Sequence, residues 1–432
     1  MATNVTTAQL AGLFKEAYAG GVRTLYPEMA LISKEIGELT EAERVGNLYH
    51  QPVILTREQG YTYGGSSGDA YALAASVAMS MQDAQLQGVE NTLRSRVPMR
   101  VAAKSVSSAK AFKQAIGLIL KSNLSSHALR KEKEILYGGA TVGMGQSASM
   151  NNDSTTQTTI AISPATWATG LWAGEEQATV NFFRTDTGAL ISSAADAVFT
   201  LTAIDPDNRK ITVTGTTTGT TALQAQAANA TVVFSGARTT LSSLNEAIGL
   251  HYISNVAGGT TVWNISNTNT LWKPNSYSCA SGALTFGKIV SGMQRPVAKA
   301  ALDENVTLYC SIDTWPSLVD SFAAARLLDS SYTPDEYKNG AGKVSYVYGP
   351  AVVKVAPHPM VMGGHAFAVP SGESKLKKVG STDVTLNVPG RGDEMFTLIP
   401  DANGFEFRSY SDWAPFAPEP AKIVQFTNIV NP

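Results

Sequence analysis

The chain has 432 residues, enough to bury a large core and to hold two or three domains. Its charges nearly cancel, at a net −2, which excludes the strongly basic footprint of a dedicated nucleic-acid binder. Cys279 and Cys310 are too few for a disulfide framework and are expected as reduced, buried thiols in a cytosolic setting. No stretch approaches the ~18 consecutive apolar residues of a membrane span, and MATNVTTAQLAGLF lacks the basic and apolar regions of a signal peptide.

Residues 1–46 read as an arm. Leu10, Leu13, Phe14 and Ala17 make one short apolar helical stripe, which Tyr26-Pro27 ends. Residues 47–97 read as a long β excursion. NLYHQPVILTREQGYTYG (47–64) alternates as an extended strand or hairpin, GGSSGDA (64–70) is a flexible tip, and ALAASVAMSMQDAQLQG (72–88) returns. The excursion holds too few large apolar residues for a core of its own, so it is expected to lie on another protein chain. Arg57, Tyr61, Tyr63, Arg94 and Arg96 are the candidate contact residues, since a guanidinium pairs bidentately with a neighbour's carboxylate.

Residues 105–137 predict a single long helix. Phe112, Ala115, Ile116, Ile119, Leu120, Leu124, Ala128 and Ile135 recur at three- and four-residue steps. Ser107 or Ser108 caps its start, and Gly138-Gly139 closes it. About 30 residues at 1.5 Å each give ~45 Å. Its polar face is basic, with Lys104, Lys110, Lys113, Lys121, Arg130, Lys131 and Lys133 against Glu132 and Glu134, and the last lysines offset the helix dipole.

The polar, low-complexity run 138–159 reads as a mobile loop. Residues 176–236 then predict an inserted all-β module, a small barrel or sandwich. Its core is expected from Val180, Phe182, Val198, Phe199, Leu201, Ile204, Ile211, Val213, Val232 and Phe234, with a turn at Asp205–Lys210. Helices follow over 243–253, 283–302 and from Thr314, where Pro316 suits a first turn. Strands are expected at 305–313, 343–361, 393–412 and 420–432.

No constellation carries catalysis. Gly64-Gly65-Ser66-Ser67-Gly68 matches a nucleophile elbow in letters, but neither a buried strand before it nor a helix after it is predicted. Gly138-Gly139…Gly143-Met144-Gly145 lacks the Lys-Ser/Thr pair of a phosphate cradle. Asp205, Asp207 and Asn208 lack the Gly and terminal Glu of a calcium loop. His358 and His365 have no ligand spacing with a cysteine or carboxylate. Arg391-Gly392-Asp393 reads as a turn. No catalytic, cofactor or metal residue is assigned.

The order of arm, excursion and spine resembles the major capsid proteins of tailed double-stranded-DNA bacteriophages, which have the Hong Kong ninety-seven fold. LTFGKIVSGMQRPVAKAALDENVTLYCSIDTWPSLVDSF (284–322) and GPAVVKVAPHPMVMGGHAFAVP (349–370) resemble the family's axial-domain elements. SYSDWAPFAPEPAKIVQFTNI (409–429) resembles its last peripheral-domain strands. The resemblance implies an α+β fold. Residues 98–160 would be a peripheral domain with the spine, 176–236 an insertion on the outer surface, 237–392 an axial domain and 393–432 a return to the peripheral domain. It also implies a non-enzymatic shell protein without cofactor. Its partners would be itself, in pentamers and hexamers, scaffolding and portal proteins, and encapsidated double-stranded DNA held without sequence specificity. It would be assembled in the host cytoplasm, reside in the virion and touch no membrane.

Only about 45 residues precede the excursion, so little N-terminal processing and a separately encoded scaffold are expected. Between Lys34 and Lys104 there is no lysine to form the isopeptide cross-link of some family members, and a guanidinium is no nucleophile. A non-covalent shell is expected. The alternatives are a bacterial nanocompartment shell, which shares the fold, a surface or adhesive β protein, and a serine hydrolase built on Ser66.

Overall fold

The structure, a computed structural model, describes residues 30–38, 44–45, 48–66, 68, 70–98, 109–226, 228–255, 259–299, 302–326, 344–348, 351–386, 397–399 and 403–431. The expected stripe at Leu10–Ala17, the cap at Ser107 or Ser108 and the Arg391-Gly392-Asp393 turn lie outside these residues.

In chain order, α1 (Leu31–Glu35) precedes a hairpin of β1 (Leu48–Ile54) and β2 (Met81–Leu86). Next come β3 (Val89–Pro98) and the spine α2 (Ala109–Tyr137). Six strands follow, β4 (Gly145–Asn152), β5 (Gln157–Ile162), β6 (Thr179–Arg184), β7 (Phe199–Asp205), β8 (Lys210–Thr214) and β9 (Ala230–Phe234), with α3 (Thr217–Gln224) before the last. Beyond them lie α4 (Leu250–Ser254), β10 (Asn275–Gly282), α5 (Phe286–Ala298), β11 (Val306–Ser311) and α6 (Trp315–Arg326). Then come β12 (Val344–Tyr348), β13 (Ala351–His358), β14 (Ala366–Pro370), β15 (Lys377–Thr385), β16 (Gly404–Phe416) and β17 (Val424–Ile429).

One sheet has the order β10-β17-β14-β11-β13-β12, with β10–β17 and β11–β13 parallel. Helix α5 packs on it, although Pro296 removes one helix bond. Gly292, four residues earlier, lets the Phe426 ring of β17 come close; a side chain there would strike that ring. A second sheet centres on β16, flanked by β15 on one side and β3 on the other.

Three differences from the sequence reading have physical causes. The run 138–159, expected as a mobile loop, contains β4 and β5. In β5, Thr158, Ile160 and Ile162 are buried while Gln157, Thr159 and Ala161 are only half-buried, an alternation disguised by its threonines. These two strands close the barrel in the order β8-β5-β4-β9-β6-β7, so the β module starts before residue 176. Second, residues 89–98 leave the excursion and pair with β16 from Val89↔Trp413 to Pro98↔Gly404. Their spine-facing side chains are partly polar and are satisfied by the spine. Asn91 donates to Glu134, and Ser95 accepts from Asn123, so no apolar alternation marks the strand. Third, β15 pairs with β16, and β17 pairs with β10 and β14 in the six-stranded sheet, partners that the order of strands along the chain does not encode.

The barrel core is nearly the expected one. Val180, Phe182, Phe199, Leu201, Ile211, Val213 and Val232 are buried, and Phe182 meets Phe199 edge to face at 5.2 Å. Val198 is a correction: it precedes β7 and is 44% exposed.

Candidate assembly surface

Beyond the β1–β2 ladder, which runs from Tyr49↔Leu86 to Ile54↔Met81, residues 55–80 extend as two arms of a long loop. A few bonds hold the arms together. Leu55 N donates to Ser80 O at 2.8 Å, Gln59 and Val77 exchange backbone bonds at 2.9 and 3.1 Å, and Ala74 N donates to Thr62 Oγ1 at 2.7 Å. Gly60 has φ +113°, and a side chain there would meet Ala75 O, so the close approach requires glycine. The loop exposes Tyr61, Tyr63, Tyr71, Leu73, Val77 and Met79, with Tyr63 at 90% and Leu73 at 81%, and the ladder's last pair, Ile54 and Met81, is exposed beside it. Large apolar groups gathered in water on a loop without its own core mark a candidate interaction surface.

The candidate contact residues separate into two groups. Arg57, Tyr61 and Tyr63 lie exposed on this loop. Arg94 and Arg96 lie on β3, in the main sheet. Arg94 Nε donates to Glu406 Oε2 at 2.5 Å, Arg408 Nε donates to the same carboxylate at 3.0 Å, and Arg96 stands opposite Glu406 in register. Arg94 is thus paired within its own chain. Tyr71, Leu73, Val77 and Met79 on the returning arm were not named from the sequence; the apolar side chains scattered through ALAASVAMSM were the available signal.

The spine is not a basic solvated helix at its C-terminal end. Lys131, Glu132, Lys133 and Glu134 are all buried, each with a partner of its own. Lys133 Nζ donates to Leu171 O and Glu175 at 2.6 and 2.5 Å; burial lowers its pKa to about 8 although Glu175 opposes this. Lys131 pairs with Asp383. Glu134 is pushed up to about 8 by burial and by Glu246. Arg238 bonds Glu246 at 2.6 Å and reaches Ala140 O at 2.6 Å, so it satisfies carbonyls at the helix end. The dipole reading of the last lysines gives way to this set of buried pairs.

Glu132 ties three segments together. Its two oxygens accept from Ile32 N and Ser33 N of α1 at 2.8 Å each, and Oε1 also accepts from His358 Nε2 at 2.9 Å. His358 Nδ1 accepts from Met360 N at 3.1 Å, which leaves the proton on Nε2. The carboxylate therefore joins the N-terminal segment, the spine and the end of β13. The remaining motifs are structural. Ser66 is at the loop tip, with no helix in residues 70–80, and Asp205 caps a turn by accepting from Asn208 N. Cys279 and Cys310 are free and buried, the latter's pKa pushed up to about 12 by burial. Among the described residues no group of three or more His, Cys, Asp or Glu is placed to hold a metal, and no helix is long and apolar enough to cross a membrane.

No family model and no curated protein sequence matches this chain. Among solved structures it is similar to the capsid asymmetric unit of cyanophage A-1(L), with a TM-score of 0.52 at 11% identity over 98% of each chain. Weaker likenesses were found to the capsid of a native GTA particle (TM-score 0.48, 9% identity, 99% of this chain and 100% of that one) and to Mycobacterium phage Bobi (0.45, 11%, 98% and 99%). At such identity the first likeness is one of fold. The chain has the α+β phage capsid fold, and the resemblance in the order of its elements is matched by the course of the whole chain.

Proposed function

We propose that the chain is the repeating subunit of a phage head. As a major capsid protein, it would self-assemble into pentamers and hexamers of a closed icosahedral shell around double-stranded DNA, with scaffolding and portal proteins as assembly partners. The observation that carries this reading is the loop 55–80, whose apolar side chains stand in water on an arm with no core beneath them. Identical chains closing into rings need heterologous contacts, and an arm laid over a neighbour supplies one. A standard interface buries about 1,600 Å², and a subunit making several at once needs none of them to be strong. The capsid fold of a cyanophage supports the same reading.

Purified chain, alone or with a scaffold, should form rings, shells or tubes visible by electron microscopy. Combined substitution Tyr61→Ser, Leu73→Ser and Val77→Ser should leave the circular dichroism and Tm of the subunit unchanged and abolish assembly. A monodisperse monomer at high concentration, with residues 55–80 protected from protease, would overturn the reading.

A further inference from the structure

An open pocket of about 660 Å³ lies where the end of α4, the start of β10 and the last turn of α5 meet. Lys273, Arg295 and Lys299 line it together with Ser254 and Asn255, and among the described residues no carboxylate does. The sequence shows why. Between Glu246 and Asp303 the chain carries Lys273, Lys288, Arg295 and Lys299 and not one Asp or Glu. Lys288, Arg295 and Lys299 follow one another at seven- and four-residue steps, so they share one face of α5 and its cap.

The three cations are short of acceptors. Arg295 donates to Ser276 O and sits over the Tyr277 ring, 5.5 Å from its centroid, which leaves most of its fork unused. Lys299 Nζ donates to Lys273 O at 2.7 Å. The Lys273 ammonium forms no ion pair with a described residue. Burial, and then the charges of Lys273 and Arg295, hold the Lys299 ammonium below its usual pKa. Ser254 is buried, and its Oγ has no hydrogen-bond partner among the described residues. Cations at a helix C-terminus offset its dipole, which accounts for Arg295 and Lys299. It accounts neither for Lys273, brought in from a separate segment, nor for an orphaned hydroxyl beside them. A tetrahedral oxyanion would satisfy all four groups, taking the guanidinium fork, two ammonium charges and one hydroxyl bond.

We propose that this pocket binds a phosphoryl group, supplied by the backbone of the enclosed nucleic acid. The presence of nucleic acid rests on the shell reading above; the chemistry of the pocket does not. Contacts of this kind position a backbone without reading bases, in keeping with a shell that holds DNA of any sequence.

Fluorescence anisotropy of a labelled mixed-sequence duplex, titrated with the full chain across a range of salt, tests the proposal. Lys273→Ala with Lys299→Ala should weaken binding at least tenfold and reduce the slope of log affinity against log salt by about 2, one for each ammonium removed from the phosphates. Lys273→Arg with Lys299→Arg should retain binding, and Lys210→Ala, in the barrel turn, should change nothing. Unchanged duplex affinity in the double alanine variant, with Tm preserved, overturns the proposal. Competition with inorganic phosphate separates the two sources: a chain that binds phosphate but no duplex overturns the nucleic-acid assignment. A double variant that binds duplex normally but no longer assembles would make the pocket a contact with a neighbour's carboxylate, which also overturns it. Electron microscopy of the same samples keeps the readings apart. A wild-type chain that forms no particles, yet loses duplex binding on substitution, sinks the shell reading and supports the pocket.

Discussion

His127, buried on the spine, bonds Ser409 Oγ through Nδ1 at 2.9 Å and Ser411 Oγ through Nε2 at 2.7 Å. Burial, then Lys131 and Arg130, lower its pKa to about 4, and burial alone does the same to His365. A histidine with a depressed folded pKa binds fewer protons folded than unfolded between about 4 and 6.5. Its contribution is therefore complete above pH 6.5 and lost as pH falls through 4, on the order of 3 kcal/mol per residue. Glu134 acts in the opposite sense. Its raised pKa makes stability fall as pH rises from about 4.5 to 8. Tm measured against pH should therefore lose part of its acid limb in His127→Asn and part of its decline between about pH 4.5 and 8 in Glu134→Gln. A profile unchanged in both variants would contradict the assignment. Glu132→Ala should cost about 3–5 kcal/mol in chemical denaturation, because it orphans His358 and two amides of α1 in the interior. Hydrogen exchange of residues 31–36 should rise with it; equal protection in variant and wild type would show that the tie is not energetic. None of these partners was readable from the sequence. A buried glutamate and an exposed one look alike when the residue that bonds them lies more than two hundred positions away, as His358 does from Glu132.

At the scale of elements, periodicity was legible wherever burial and apolarity coincide. Helix α5, strand β11 and the Val, Phe and Ile strands of the barrel follow it closely, whereas the spine buries Asn123 and His127 and leaves Leu124 of the expected stripe exposed. Reading failed where buried positions are polar. Ser147 and Thr158 line the inside of β4 and β5, Asn91 and Ser95 line β3, and the lysines of the spine's last turns are interior. In each case a partner from another element makes the polar group acceptable, and no local pattern encodes that partner. Of the candidate contact residues, Arg57, Tyr61 and Tyr63 lie exposed on the loop, in the stretch whose aromatic and basic residues had no core of their own. Arg94 and Arg96 lie instead on β3, since the sequence did not show where the loop ends and the sheet begins. Within the barrel, Phe199→Ala should cost about 3–5 kcal/mol, since the ring is fully buried against Phe182. The loss should fall first on amides of β4 to β9 in hydrogen exchange. A variant whose destabilisation is spread evenly over the six-stranded sheet would mean that the barrel has no cooperativity of its own.

For the whole molecule, the lysine inventory bears on how subunits of the proposed shell would be held. The loop 55–80 carries Arg57 and no lysine, so it delivers no amine for an amide cross-link. Particles boiled in detergent without reductant should run as a single 45.6 kDa band. A ladder of covalent multimers on that gel would show that another lysine is used.

The pairing of β3 with β16 also governs when the protein can fold. Strand partners at positions 89–98 and 404–413 are more than three hundred residues apart, so closing that ladder demands nearly the whole polypeptide. The barrel, by contrast, draws all six strands from residues 145–234. During synthesis its hydrophobic interior can seal while the spine's sheet still waits for β16, and the segment that would meet a neighbour stays without its platform until then. Ribosome-stalled chains ending near residue 270 should show protease-resistant 145–234 and cleavable 89–98. Equal resistance of both would mean that the nascent chain finds another partner for β3.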